Sequence, residues 1–157
     1  MRAVDDRIRL NVDVLKVVRA PIHPSFVRAL LQRTAAMPEV AARLPDGSAT
    51  VVVRLTTDAE LRRLNHDFAG HDEVTDVLSF PGSDQHLGDL AVSWPAAVRQ
   101  AREFGHSDQT EAALLCVHGL LHLAGWDHES AAGRDEMTRL TVAGLELSGV
   151  GIAPGRL

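Results

Sequence analysis

Residues 108–128, DQTEAALLCVHGLLHLAGWDH, combine a long predicted helix with a glycine that ends it. The helix is expected to begin at Ser107 or Asp108 and to run to about Ala124. Gly125 can adopt the left-handed conformation that ends many helices and turns the chain back. This helix and its turn therefore decide which side chains after the glycine can return to the helix face.

Three histidines, His118, His122 and His128, lie in this helix and turn. Four residues rotate a helix by about 400°, so the rings of His118 and His122 leave one face roughly 6 Å apart. His128 would point to the opposite side of an unbroken helix, but a turn at Gly125 can bring it back. Three histidines with a fourth position open to water are the pattern of a catalytic zinc site. The sequence therefore predicts one Zn²⁺ per chain, bound by the three rings.

The histidine spacing matches the H-E-x-x-H-x-x-G-x-x-H template of zinc peptidases except at one position. Gly119 stands where the template has the glutamate that acts as general base. We therefore interpret the stretch as a similar metal scaffold with different chemistry. Asp127 and Glu129 flank His128, and either carboxylate could orient a ligand ring or accept a proton near the metal. Asp127 is the candidate catalytic residue, and solvated loop carboxylates are an equal alternative.

The remaining segments predict a single α+β domain across residues 1–157, with a small mixed sheet of about four strands packed with about five helices. Alternating apolar residues predict a strand at 7–16 with one buried face. β-Branched and apolar residues predict a well-buried strand at 49–56. Two further strands, 76–80 and 87–93, are expected to pair as a hairpin.

Four more helices are predicted in addition to the long one, at about 24–43, 58–67, 95–104 and 132–147. Pro38 is expected to break or kink the first of them. Thr57 and Glu60 form a capping box at the start of the second. The tail, residues 148–157, is expected to fray because it is punctuated by glycine and proline.

The composition excludes several classes of protein. Hydrophobic residues make up 45% and charged residues 24%, a globular balance that excludes a disordered chain. Because no apolar run reaches the roughly 18 residues of a membrane span, no membrane partner is expected. Residues 1–9 lack the order of a signal peptide, and the single cysteine, Cys116, suits a reducing cytoplasm. The net charge of −5 excludes a generally basic nucleic-acid coat protein but allows a local basic groove.

Several blocks of the sequence resemble signatures of the YbeY family of bacterial endoribonucleases and ribosomal RNA maturation factors. Residues 118–128 are similar to its HGxLHLxGxDH signature, and residues 75–81 to its TDVLSFP segment. Residues 87–89 match its LGD, and residues 64–65 match the LN before the loop. The resemblance implies an α+β fold with the metal, held by the three histidines, at the mouth of a cleft that the 76–80 strand approaches.

The resemblance also implies an activity, a substrate and partners. The implied activity is metal-dependent, single-strand-specific endoribonuclease cleavage in 3′-end maturation of small-subunit ribosomal RNA and in ribosome quality control. The implied partners are single-stranded ribosomal RNA and the small ribosomal subunit or its assembly factors. The expected location is the cytoplasm, and the expected chemistry is metal-assisted cleavage of a phosphodiester bond.

The loop before TDVLSFP departs from the family. The family usually has an aromatic residue, arginine and glycine there, and the arginine is thought to matter for RNA cleavage. Here the loop reads Phe68-Ala69-Gly70, and His71 stands where lysine is common. The sequence therefore predicts a weak nuclease, because Ala69 leaves no guanidinium at this position.

Two other functions stay open from the sequence. One is a non-catalytic ribosome-assembly protein with a structural zinc, which the missing loop arginine favours. The other is a metallopeptidase-like hydrolase, which Gly119 disfavours. For an active nuclease, Arg54, Arg62 or Arg63 could supply the missing cation from another element. Four aromatic residues could stack on bases, although burial in the core is the commoner fate of such side chains: Phe68, Phe80, Trp94 and Trp126.

Overall fold

A four-stranded sheet is the framework of the chain, which a computed structural model describes over residues 9–69 and 76–157. Its strands are β1 (Leu10–Lys16), β2 (Ala49–Thr56), β3 (Val77–Pro81) and β4 (His86–Ser93). Their order is β1-β2-β4-β3, in which β1, β2 and β4 are parallel and β3 is antiparallel to β4. The predicted single α+β domain with a small mixed sheet and a β3–β4 hairpin is confirmed.

Six helices lie in the described part of the chain: α1 (Pro24–Ala35), α2 (Pro38–Ala41), α3 (Asp58–Leu64), α4 (Trp94–Phe104), α5 (Asp108–Leu123) and α6 (Ala131–Glu146). A π-helical turn, Asn65–Ala69, follows α3. The predicted break at Pro38 is confirmed, and it divides the predicted first helix into α1 and α2. Met37 is extended, with ψ 133°, because a residue before proline disfavours the helical region.

Helix α5 runs through the interior and packs against α1, α4, α6, β3 and β4. Residues 111–117 and 119–121 are all buried. A helix that is buried on nearly every side is typical of a domain core. In its C-terminal half, His118, His122 and the last residue, Leu123, are partly exposed, so the packing of α5 decides where the two rings emerge. Within the described ranges, no helix has the length and apolar character needed to cross a membrane.

The C-terminal segment, residues 148–157, for which the sequence predicts fraying, is tied to the fold by hydrogen bonds from Ala153 and Arg156. Arg156 donates hydrogen bonds from Nε and Nη2 to the carboxylate of Glu111, the shortest at 2.6 Å. The backbone N–H of Ala153 donates to Nδ1 of His106 at 3.0 Å. Nε2 of the same ring lies 2.7 Å from Glu111 Oε1. The segment is held because Arg156 pairs with the buried Glu111 carboxylate and Ala153 bonds the histidine that lies beside it.

The Glu111 carboxylate is completely buried, with an exposed fraction of 0%. Burial raises the pKa of Glu111, but hydrogen bonds from Arg156 and His106 outweigh burial and hold the pKa below its ordinary value. A buried charge is tolerated only when it is paired in this way. Local sequence patterns gave no sign of this anchor, because Glu111 and Arg156 are 45 residues apart.

Replacing Arg156 with methionine should lower the free energy of unfolding by about 3–5 kcal/mol, because Glu111 would stay buried without its guanidinium. Urea denaturation at pH 7 measures this loss. The loss should shrink in acid. Because the pKa of Glu111 is lower in the folded chain than in the unfolded chain, where it is about 4.3, the ionised carboxylate stabilises the fold above that pH. This stabilisation disappears as the pH falls through the folded-state pKa.

The matched control is Arg139→Met. Arg139 forms a two-pronged ion pair with Glu39, but their side chains are 55% and 52% exposed. Exposed pairs contribute about 0–1 kcal/mol. Equally small losses in the two variants would show that the C-terminal segment is not an anchor.

Candidate metal centre

An open cleft of about 660 Å³ lies between β3 and the C-terminal half of α5. One wall is formed by β3 together with the residue before it, and the other by the three histidines. The lining residues are Asp76, Val77, Leu78, Ser79, Pro81, His118, His122 and His128. The expectation that the 76–80 strand approaches the cleft is therefore confirmed.

The three histidine rings converge at this cleft. Nε2 of His118 and Nε2 of His122 are 3.1 Å apart. Ring centroids are separated by 4.7 Å for His118–His122, 5.1 Å for His122–His128 and 5.9 Å for His118–His128. One nitrogen of each ring lies within 4.8 Å of the other two. Zinc–nitrogen bonds of about 2.0–2.1 Å at tetrahedral angles place ligand nitrogens about 3.3 Å apart. The triad could therefore hold a metal ion after a small adjustment of the rings.

The turn after α5 returns His128 to the other two rings. Gly125 has φ +103°, so the predicted left-handed conformation is confirmed. The N–H of Gly125 donates to the carbonyl of His122, and the N–H of Trp126 donates to the carbonyl of Leu121, both at 3.0 Å. These two bonds are the Schellman pattern of a helix end.

Trp126 holds this turn in place through the contacts of its side chain. Its ring is buried, and its Nε1 donates a hydrogen bond to the carboxylate of Glu136 in α6. The Arg43 guanidinium lies over the ring, 3.8 Å from its centroid. Because Trp126 is only two residues before His128, its burial restricts where that histidine can go. The sequence indicated this role only through the apolar residue that commonly follows a helix-ending glycine.

The rings of His118 and His122 favour binding a metal cation over binding a proton. Burial, with the neighbouring His122 and His128, lowers the pKa of His118 to about 4, although the charge of Asp76 acts in the opposite direction. Burial and His128 also lower the pKa of His122, against the Trp126 backbone and the Asp127 charge. Neutral imidazoles keep a lone pair free for a metal, so a cation does not have to compete with protons at neutral pH.

Gly119 is a point of close approach between α5 and the sheet. A Cβ at this position would lie 2.8 Å from Leu90 Cδ2 and 3.3 Å from Val77 Cγ2. Ser79 Oγ donates to the Gly119 carbonyl at 3.1 Å. Position 119 therefore faces β3 and β4, and a glutamate there would enter an apolar contact. The peptidase arrangement is thus incompatible with how α5 packs in this protein.

The candidate carboxylates lie in different surroundings. Asp127 is exposed, and its Oδ1 accepts a hydrogen bond from the Glu129 N–H at 3.1 Å, which shapes the turn into α6. Glu129 is also exposed. Asp76, which the sequence analysis did not single out, lines the cleft. The signal for it was its place at the start of the strand that faces the histidines.

The alternative arginine positions do not meet the cleft. Arg54 Nε donates to Glu60 Oε1 at 2.5 Å, and Arg63 contacts the same carboxylate. Arg54, Glu60 and Arg63 line a second groove of about 350 Å³ with Phe80. None of the described residues that line the histidine cleft is an arginine. Residues 70–75 and the side chain of Ala69 lie outside what the structure describes, so the effect of the missing loop arginine stays a prediction.

The four aromatic candidates fall into two classes. Trp94 and Trp126 are buried in the core and are not available to bases. Phe68 is 72% exposed, and its ring centroid lies 6.0 Å from that of Phe80 in an edge-to-face arrangement. Of the four, Phe68 is the side chain best placed to meet an unpaired base.

Replacing Gly125 with valine should weaken zinc binding by about tenfold or more, the range seen when supporting contacts of a metal site are lost. A β-branched residue is strongly disfavoured at positive φ, so the turn would have to rearrange and carry His128 away. Zinc titration with a coloured competing chelator gives the affinity.

Gly105→Val is the matched control, because Gly105 also ends a helix at positive φ, +82°, and also has room for a side chain. It should lower the melting temperature and leave zinc affinity unchanged. Normal affinity in the Gly125 variant would contradict the role of the turn.

Comparison with known proteins agrees with this geometry. The family model described as "Endoribonuclease YbeY" matches residues 18–147. A protein of that name from Moorella thermoacetica is 43% identical over 142 residues, covering 82% of this chain and 86% of the relative. Another, from Chloroflexus aggregans, is 44% identical over 123 residues, covering 71% and 80%.

A solved structure is also similar over nearly the whole fold. The solution structure of a Thermotoga maritima protein covers 94% of this chain and 100% of its own, with a TM-score of 0.58 and 25% sequence identity. The residues matched by the family model include the cleft strand and all three histidines. The chain belongs to the YbeY family.

Proposed function

We propose that this protein is a zinc-dependent, single-strand-specific endoribonuclease that acts in 3′-end maturation of small-subunit ribosomal RNA and in ribosome quality control. The observation that carries the proposal is the convergence of His118, His122 and His128 on an open cleft, in a chain whose relatives are named endoribonucleases. The proposed partners are single-stranded ribosomal RNA and the small subunit or its assembly factors, which places the activity in the cytoplasm.

The three histidines would hold one Zn²⁺ through ring nitrogens. The fit is supported by the distances between their ring nitrogens and by the lowered pKa values of His118 and His122. His128 is the exposed member of the three, so the site is open to solvent. Three imidazoles with one remaining position are the donor set of a catalytic rather than a structural zinc. When bound, the ion supplies Lewis acidity at a phosphoryl oxygen and activates a nucleophile.

The protein's own residues shape the rest of the site. Strand β3 provides a wall along which an extended RNA strand can lie opposite the histidines. Asp127 remains our candidate for orienting a ligand ring or accepting a proton, because its charge acts on His122. Since the net charge is −5, affinity for RNA must come from local groups. The exposed ring of Phe68 can add base stacking, which favours single strands.

A second function is favoured by one specific observation. Ala69 stands where the family's loop arginine is expected. Without that cation, the protein could serve as a ribosome-assembly factor whose metal is structural. The two functions differ in a simple way: only the first requires RNA to be cut at a rate that depends on the metal.

Alanine substitutions at His118, His122 and His128, singly and together, should remove stoichiometric zinc and abolish cleavage of unstructured RNA. Metal analysis of the purified chain and a cleavage assay on single-stranded and double-stranded RNA measure both effects. His86→Ala is the control, since this exposed histidine bonds Thr50 away from the triad. Full zinc content in the triple variant would refute the metal assignment. If the wild-type chain holds zinc but shows no metal-dependent RNA cleavage, the assembly function is favoured. Cleavage of casein would indicate a peptidase.

Replacing Ala69 with arginine should raise the turnover rate on single-stranded RNA by about two to three decades, the effect of one transition-state contact worth roughly 2.7–4 kcal/mol. RNA affinity should change much less, because the stabilised charge grows only in the transition state. Turnover and RNA affinity are measured at one fixed salt concentration.

Ala69→Gln, which is neutral and comparably long, is the control for this variant. Arg54→Ala and Arg62→Ala test the alternative that another element supplies the cation. If either of these abolished cleavage while Ala69→Arg changed little, the alternative would be correct. Because Arg54 is already paired with Glu60, we expect Ala69→Arg to raise turnover and Arg54→Ala to leave cleavage in place.

A further inference from the structure

We infer that the C-terminal segment is a working part of the metal cleft: Arg156 orients the amide of Gln100, and Gln100 holds Asp76 in place on the cleft wall. The segment lies C-terminal to the part of the chain that matches the family model. The inference rests on the metal site of the proposed function. It makes Arg156 and Gln100 positioning residues, since each acts on the cleft through another side chain.

The contacts form a continuous chain from the tail to the cleft. Arg156 Nη2 donates to Gln100 Oε1 at 3.2 Å, and Gln100 Nε2 donates to Asp76 Oδ2 at 2.9 Å. An arginine side chain only donates hydrogen bonds, whereas a glutamine amide has one accepting end and one donating end. Because Arg156 occupies the accepting end, the donating end of Gln100 is turned toward the carboxylate.

The first member of this chain is rigidly held. Arg156 binds the buried carboxylate of Glu111 through two nitrogens, and its guanidinium carbon lies 4.7 Å from the Phe104 ring centroid. Its side chain is only 15% exposed. The same guanidinium therefore serves two carboxylates, Glu111 directly and Asp76 through the amide. Nη2 donates to both partners, and Nε adds a second bond to Glu111, so the planar guanidinium is held in one orientation that a flexible lysine ammonium would not keep.

The last member of the chain stands at the cleft. The carbonyl of Asp76 accepts a hydrogen bond from the Ser93 N–H at 2.9 Å, which ties its backbone to the end of β4. Asp76 lines the same cleft as His118, and the charge of its carboxylate acts on that ring. A fixed negative charge beside neutral imidazoles favours a bound divalent cation by Coulomb attraction. A carboxylate without a positioning partner would spread over several rotamers and act less strongly on that cation.

Zinc titration of full-length variants against a coloured chelator tests this inference without relying on activity. Asp76→Asn should weaken zinc binding about tenfold, the lower range for supporting groups around a metal. Gln100→Leu should weaken it several-fold, and the double variant should be no weaker than Asp76→Asn alone. Gln32→Leu is the matched control, because Gln32, on α1, donates a comparable side-chain hydrogen bond to the carbonyl of Leu10 in β1, and neither residue lines the cleft.

Arg156→Lys separates anchoring from positioning. A lysine still neutralises Glu111, so urea denaturation should show a largely preserved fold, while zinc affinity should fall as it does in Gln100→Leu. If Gln100→Leu and Arg156→Lys bind zinc like the wild type, or if the Gln100 and Asp76 losses simply add, the inference is wrong and the proposed function stands. If the wild-type chain itself binds no zinc, both fall together.

Discussion

The close contact between α5 and the β3–β4 hairpin at Gly119 is the constraint on which the candidate site depends. Without a side chain at this position, the helix backbone approaches the sheet closely enough for Ser79 to bond the Gly119 carbonyl. The residue just before this contact is His118, so the same approach places His118 across the cleft from β3. The cleft forms where β3 and the histidine-bearing helix are held together at this one glycine.

Local features of the site and fold could be predicted from the sequence because they depend on residues near one another in the chain. The bounds of α5, the left-handed Gly125 and the convergence of the three histidines follow from helical geometry and from the chemistry of helix ends. The hairpin and the buried strand β2 follow from apolar patterning. The break at Pro38 follows from the restriction that proline places on the residue before it.

Features that depend on distant partners could not be predicted in this way. Glycine and proline in the tail suggested fraying, but a buried carboxylate 45 residues away holds Arg156. Nothing in the periodicity of α5 indicates that Glu111 is charged, buried and paired, since a polar residue near a helix start usually faces solvent. Asp76 was missed for the same reason: its partner, Gln100, lies in another element, and only the folded chain brings the two together.

The packing of α5 also explains why histidine spacing alone does not fix the chemistry. In the zinc peptidase template, the residue after the first histidine provides the base, whereas here that position is filled by the sheet. Any group that moves a proton or orients a ligand must therefore come from the elements around α5, such as Asp76 just before β3 or the turn after Gly125. Those groups are held by side chains from α4, α6 and the C-terminal segment. The identity of the candidate metal ligands is thus set by one helix and its turn, while any reaction at this site would depend on residues that this helix only contacts.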